Sequence, residues 1–158
     1  METLKQANLP LLSVPAYYFM AMWPHVRAFI ISNKGDSKNH DNRNPHSSQN
    51  ADKIKKRLTA QEFATYERAK RCHLNSMENM PILVAAILAG LIAEQKAGSG
   101  AVGLSRFAVG WLVARTVYTA NYLTAETIQW SYLRSVCYNI ANGWALYTVV
   151  RAAFIIGG

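Results

Sequence analysis

The hydrophobic residues of the chain form four long segments, and one long polar stretch separates the first segment from the second. Because a helix needs about 20 mostly apolar residues to cross a bilayer, each segment is long enough to be a membrane span. The pattern predicts helices at about residues 9–31, 59–96, 101–124 and 132–156, with a polar loop at residues 32–57. We therefore predict an all-α integral membrane protein, in which residues 1–158 form a single up-down-up-down four-helix bundle.

A soluble helical bundle is the alternative interpretation of this pattern. The third and fourth segments argue against it, because they are apolar around their circumference, whereas a half-exposed soluble helix has a polar face. Aromatic residues such as Trp130 and Tyr132 also stand near segment ends, as they do at membrane interfaces. The membrane interpretation is therefore favoured.

The polar loop predicts how the chain is oriented in the membrane. Its Lys and Arg residues outnumber its Asp residues by seven to three, a balance of +4 (7 − 3), the seven being Lys34, Lys38, Arg43, Lys53, Lys55, Lys56 and Arg57. Because cytosolic loops are rich in Lys and Arg, we expect this loop and the link between the third and fourth helices to be cytosolic. Both termini then lie on the opposite side.

The formal charge of +8 and the two cysteines narrow the classes of partner. A nucleic-acid-binding protein carries its basic residues on a polar face, but several arginines here lie inside apolar segments, so no nucleic-acid partner is expected.

Cys72 and Cys137 lack a CxxC or other metal spacing and are expected to be reduced structural thiols. His40 and His46 in the loop have no ligand-like neighbours, so no metal site is predicted.

Polar residues recur at helical spacing inside three of the apolar segments. Residues three or four apart share one face of a helix, and the antiparallel helices bring the three polar faces to the same depth near the cytosolic side. Charged groups within a membrane cost about 2.5–3.5 kcal/mol each on insertion scales and are functional candidates. The residues are Arg68, Arg71, Asn75 and Glu78 on the second helix, Arg115, Tyr118 and Tyr122 on the third, and Arg134, Ser135 and Tyr138 on the fourth.

The charge balance of this set predicts an anionic ligand. It contains four arginines against Glu78, which is expected to be its only buried acid. Arginine binds carboxylates through two parallel hydrogen bonds, so a ligand with carboxylates fits the set. The alternatives are that these groups only pair with one another between helices, and that the tyrosines only pack at the interface. Arg106 and Arg151 lie toward the other side and are expected to snorkel or to serve structure.

The same residues carry a family resemblance. Residues 67–81, ERAKRCHLNSMENMP, resemble the second-helix signature of the MAPEG family, the membrane-associated proteins in eicosanoid and glutathione metabolism. The Arg115, Tyr118 and Tyr122 series resembles the third-helix motif of that family, and Arg134-Ser135 with Tyr138 resembles the fourth. Within that family, the chain most resembles the branch of microsomal glutathione transferases and prostaglandin E synthases.

This resemblance implies a homotrimer that binds glutathione as a co-substrate between neighbouring subunits. It implies catalytic roles for Arg134, which stabilises the thiolate, and for Ser135, which hydrogen-bonds the thiol. It implies a second, lipophilic substrate that arrives through the bilayer, and an endoplasmic reticulum protein whose active site faces the cytosol. The expected glutathione-binding residues are Arg68, Arg71, Asn75, Glu78, Arg115, Tyr118, Tyr122 and Tyr138.

The resemblance leaves the exact chemistry open. Tyr118 stands where many relatives have histidine, and Leu74 stands where some have a basic residue. The expected activity is glutathione transfer to an electrophile, with hydroperoxide reduction or isomerisation as alternatives. A non-catalytic lipid-binding or regulatory protein of the same fold is the second hypothesis. A small transporter is disfavoured, because matching broken helices in two halves of the chain are missing.

Overall fold

The protein is all-helical over the residues that the computed structural model describes, namely 8–39, 42–45 and 47–158, with the side chain of Ser37 also left out. This confirms the predicted all-α class. His40 and His46, for which no metal site is predicted, lie outside the described residues. A short 3-10 turn covers Ser37–Asn39. The α-helices are α1 (Leu9–Asn33), α2 (Ser48–Arg57), α3 (Ala60–Glu78), α4 (Met80–Ala97), α5 (Leu104–Thr124) and α6 (Ile128–Gly157).

Helices α3 and α4 follow each other with Asn79 alone between them, in the region predicted as one helix. The α3 start is fixed by a capping box, in which Glu62 N donates to Thr59 Oγ1 and Thr59 N donates to a Glu62 carboxylate oxygen. Pro81 stands at the start of α4, where its missing N–H is tolerated. The end of α3 carries the polar residues Asn75, Ser76 and Glu78.

The prediction that residues 32–57 form a loop is wrong for α2. Its N-cap is Ser47, whose hydroxyl accepts from Asn50 N, and no Pro or Gly interrupts the ten residues that follow. Basic residues fill the last turn, where they interact favourably with the helix dipole, and Ile54 is buried. Hydropathy missed the helix because it buries one apolar side chain and is too short to cross a membrane.

The bundle packs α1 against α3 and α5, and α6 against α4 and α5. Small residues line the contacts and allow close approach of the helices. At Gly110 the Trp144 ring of α6 lies directly against the α5 backbone, in the space that a Cβ would occupy. The largest fully buried apolar side chains include Tyr17, Leu83, Phe107 and Trp111.

The outer surface is apolar on most helices. Large hydrophobic side chains are exposed along α1, α5 and α6, for example Phe19, Val109 and Phe154, as expected where lipid replaces water. Two helical stretches are long and apolar enough to cross a membrane, Ala60–Ala97 and Ile128–Gly157. Helices α1 and α5 have the length but a lower hydropathy, so the count of four spans stays a prediction.

Candidate functional site

Helices α3, α5 and α6 enclose a cleft of about 390 Å³ that gathers most of the predicted polar residues. Among the described residues, its lining contains no carboxylate and one arginine. We call it the arginine cleft, and its lining residues are Asn75, Tyr118, Tyr122, Arg134, Ser135, Tyr138 and Asn139. A larger cavity of about 600 Å³ lies beside the α5–α6 link, but none of the predicted site residues lines it, so the arginine cleft is the better candidate.

Arg115 lies directly behind the wall of the arginine cleft and is fully buried, with 0% of its surface exposed. Its Nη2 donates to Asn75 Oδ1 at 3.2 Å and to Ser76 Oγ at 3.3 Å. Its guanidinium carbon stands 4.2 Å from the centre of the Tyr118 ring, a cation–π contact. Nε and Nη1 have no hydrogen-bond partner in the described structure. A buried guanidinium with unused donors is costly unless a partner completes it.

Tyr17 of α1 supports this arrangement from the other side. Its hydroxyl donates to Ser76 O at 2.8 Å, and its ring lies 5.7 Å from the Arg115 guanidinium carbon. Tyr17 therefore ties α1 to the end of α3 that carries Asn75 and Ser76.

Arg134 supplies the positive charge inside the arginine cleft. Its guanidinium carbon lies 4.2 Å from the Tyr122 ring centre, and Tyr122 in turn stacks against Tyr118 with ring centres 5.6 Å apart. Ser135 follows it on α6 and is exposed. Among the described residues no carboxylate lies within ion-pair distance of Arg134 or Arg115. The two arginines therefore make the cleft region strongly positive.

Besides Arg115, three predicted residues lie outside the arginine cleft. Arg71 and Glu78 are exposed on α3, so the expectation that Glu78 is a buried acid is wrong for the single subunit. Arg68 is half-buried, and its Nη1 donates to Ala125 O at 3.3 Å, which holds α3 to the α5–α6 link.

The sequence interpretation missed Tyr17, Ser76 and Asn139. Tyr17 stands in an apolar helix, where a tyrosine is most simply explained by packing, and only the tertiary contact shows its hydroxyl bond to α3. Ser76 and Asn139 directly follow a predicted polar face by one residue, at Asn75 and Tyr138. Their position next to that face was the available signal.

Several other polar residues outside the arginine cleft are buried or form structural contacts. Cys72 and Cys137 are buried free thiols, as predicted. His73 Nδ1 lies 2.9 Å from Ala21 O, and its ring contacts His25. Arg151 donates to Ala101 O at 2.8 Å. In the part of the chain that the structure describes, no group of His, Cys, Asp and Glu residues could hold a metal ion.

The fold and this constellation define a class of membrane-associated helical proteins, and comparison with known families agrees. The model of the MAPEG family matches residues 11–156, nearly the whole chain. The protein belongs to the MAPEG family. Comparison with curated proteins and with solved structures finds no significant match. The family includes glutathione transferases and eicosanoid synthases as well as non-enzymatic members.

Proposed function

We propose that this protein is a membrane-bound, glutathione-dependent transferase or peroxidase that activates the glutathione thiol in the arginine cleft. The observation that carries the proposal is the buried Arg115, which no described carboxylate neutralises and which lies directly behind the cleft wall. A site that only serves structure would pair this charge, because an uncompensated buried charge is strongly destabilising. An anionic ligand supplies the missing partner.

The donor set fits glutathione, which has two carboxylates, one ammonium group and a thiol. Arg115 and Arg134 provide charge for carboxylate or thiolate, the Asn75 amide nitrogen can donate, and the Asn139 amide oxygen can accept. Tyr118, Tyr122 and Tyr138 add hydroxyl groups to the same wall. The cleft of about 390 Å³ holds part of such a tripeptide, and the rest would extend beyond the subunit surface.

Arg134 and Ser135 are proposed as the catalytic pair. When bound, glutathione supplies the nucleophilic sulfur. A guanidinium near the thiol favours the charged thiolate and lowers its pKa, while a serine hydroxyl can donate a hydrogen bond to the same sulfur. Arg134 is held in place by its contact with Tyr122, so its charge is positioned before substrate arrives.

We further propose that the site is completed by a neighbouring subunit in a homotrimer. Arg71 and Glu78 are exposed on α3, outside the cleft of their own subunit, yet they belong to the same family signature as Asn75. A neighbouring subunit would bring its own Arg71 and Glu78 to the open side of the cleft. The lipophilic second substrate would enter from the bilayer along the apolar outer faces of the helices.

The decisive experiment uses the full chain purified in detergent. Glutathione binding is measured by calorimetry, and turnover is measured with an aryl halide and separately with a lipid hydroperoxide. Arg134→Ala is expected to lower kcat at least about 100-fold while changing the dissociation constant of glutathione much less, since a two-unit rise in the thiol pKa corresponds to about 2.7 kcal/mol. Arg106→Ala, an exposed arginine on α5, is the matched control.

The outcomes separate the hypotheses. Turnover with either substrate that depends on Arg134 supports the enzyme. Equal turnover of Arg134→Ala and the parent protein removes the role of Arg134. Glutathione binding without turnover of any substrate favours the non-catalytic alternative, and failure to bind glutathione at millimolar concentration contradicts the whole proposal.

A further inference from the structure

A second polar cleft lies where the end of α1, the 3-10 turn and α2 meet, and none of the predicted site residues lines it. Its volume is about 480 Å³. Every described side chain that lines it is a hydrogen-bond donor, and four of the seven are cationic. We call it the basic cleft, and it is lined by Lys38, Asn39, Asn42, Arg43, Asn50, Lys53 and Arg57.

The backbone around the basic cleft is held by side-chain hydrogen bonds. Arg57 Nη1 donates to Ser32 O at 2.9 Å and to Asn39 O at 3.3 Å, which ties α2 to the end of α1. Asn39 Nδ2 donates to Asn33 O at 3.0 Å, and Asn50 Nδ2 donates to Pro45 O at 2.9 Å. These bonds close the loop onto α1 and preorganise the cleft before a ligand binds.

The ammonium groups of Lys38 and Lys53 are not used by this framework. Both side chains are exposed, and within the described ranges neither forms a side-chain hydrogen bond or an ion pair. The described acids of the segment do not neutralise them. Asp36 accepts from the backbone N–H of Lys38, and neither Asp36 nor Asp52 lines the cleft. The positive charges of Lys38 and Lys53 are therefore available to a ligand.

The chemistry and position of the basic cleft indicate the ligand. Converging ammonium and guanidinium groups bind phosphate oxygens through charge-assisted hydrogen bonds, and a cleft with several of them suits a multiply charged phosphate group. The cleft adjoins the end of α1, whose flanks expose large apolar side chains such as Phe29 and Ile30. Basic segments next to a membrane helix attract anionic lipid headgroups.

We propose that the basic cleft binds a phosphomonoester group, and that its source is the phosphorylated headgroup of an anionic lipid in the adjoining leaflet. The proposal does not depend on glutathione, because the basic cleft shares no residue with the arginine cleft. It assigns to the polar segment a lipid-binding role that the family signature does not contain.

The test uses the full chain in detergent micelles and a fluorescent short-chain phosphatidylinositol bisphosphate, with binding followed by fluorescence anisotropy. Lys38→Gln/Lys53→Gln is expected to weaken binding by roughly tenfold or more. The matched control is Lys55→Gln/Lys56→Gln, which removes the same charge from α2 at positions outside the cleft and is expected to change affinity less than about threefold. Glutathione binding is measured in the same variants and is expected to stay unchanged.

Competition identifies the source of the phosphate. Phosphatidylserine, which lacks a phosphomonoester, is expected to compete poorly, and inositol trisphosphate is expected to compete more weakly than the lipid. If inositol trisphosphate or inorganic phosphate competes as well as the lipid, the phosphate site stands but its ligand is water-soluble. Equal weakening by both double variants would overturn the site in favour of diffuse charge attraction, and so would the absence of measurable phosphoinositide binding.

Discussion

Nη2 of Arg115 donates to Oδ1 of Asn75 at 3.2 Å, and this bond joins the centre of α5 to the end of α3. It also fixes the orientation of the Asn75 amide, because the side in contact with a guanidinium must be the acceptor oxygen. Asn75 lines the arginine cleft, so its amide nitrogen is left to the ligand side. One pair thus connects a fully buried charge with a donor on the cleft surface.

Replacement of Arg115 by methionine tests whether this charge serves the ligand or the fold. Methionine fills similar space without a buried charge, so we expect the free energy of unfolding to change by less than about 1 kcal/mol. Glutathione affinity is expected to fall at least about tenfold, because the ligand loses the attraction of an un-neutralised charge directly behind the cleft wall and Asn75 loses the bond that orients its amide. Calorimetry and thermal unfolding in detergent measure the two effects.

Arg106→Met, an exposed arginine on the same helix, is the control for the loss of one positive charge. A large loss of stability in Arg115→Met with unchanged glutathione affinity would show that Arg115 is a structural residue.

Tyr17→Phe tests the contact between α1 and α3. It removes the 2.8 Å hydrogen bond to Ser76 O but keeps the ring that packs against Trp111. We expect a loss of about 1 kcal/mol in the free energy of unfolding, the usual contribution of one such bond. Tyr18→Phe is the matched control, because Tyr18 is the next residue on α1 and is 44% exposed. Equal unfolding curves for the two variants would contradict the role of this bond.

The apolar pattern predicts the long helices well, because each carries hydrophobic side chains both toward the protein core and on its outer surface. It does not predict α2, since that helix depends on the Ser47 cap and on a single buried Ile54 rather than on hydropathy. Helical spacing places Asn75 and Glu78 on one face, but spacing alone does not say which neighbour that face meets. The contact of Arg115 with Asn75, and the exposure of Glu78, depend on the packing of α3 against α1 and α5.

Gly110→Ala tests the close packing of α5 on α6. A Cβ at Gly110 would overlap the Trp144 ring, so either the ring or α6 must shift. We expect a loss of about 1–3 kcal/mol in the free energy of unfolding, despite the better helix propensity of alanine. Gly143→Ala is the control, since its Cβ would meet no atom within 4 Å. The free energy of unfolding of Gly143→Ala is expected to rise by about 0.5–1 kcal/mol. An equally stable Gly110→Ala would show that the contact between Gly110 and Trp144 does not limit the packing of α5 on α6.

Ser135→Ala tests the smaller part of the proposed catalytic pair. The side chain lies in the arginine cleft beside Arg134 and is exposed, so its loss leaves the fold unchanged. If its hydroxyl stabilises the thiolate, kcat falls roughly three- to tenfold, as expected for one hydrogen bond, with little change in glutathione affinity. Steady-state kinetics at saturating glutathione measure this. The alkaline shift of the pH–rate profile is expected to be larger in Arg134→Ala, because a full charge favours the thiolate more than a hydroxyl does.

Co-assembly of two inactive variants tests whether subunits share the site. Arg71 is exposed on α3, whereas Arg134 lines the cleft of its own subunit, so a shared site takes the two arginines from different chains. Arg71→Ala and Arg134→Ala are expected to be inactive as pure assemblies. In a random one-to-one mixture of trimers, each head-to-tail site is intact in roughly a quarter of cases, so about that share of turnover returns. Refolding or co-expression with two different tags yields the mixed trimers. If both arginines act within one subunit, every site contains one defect and the mixture stays inactive. That result would contradict the shared site, whereas the roles of Arg71 and Arg134 themselves are tested by the two single variants.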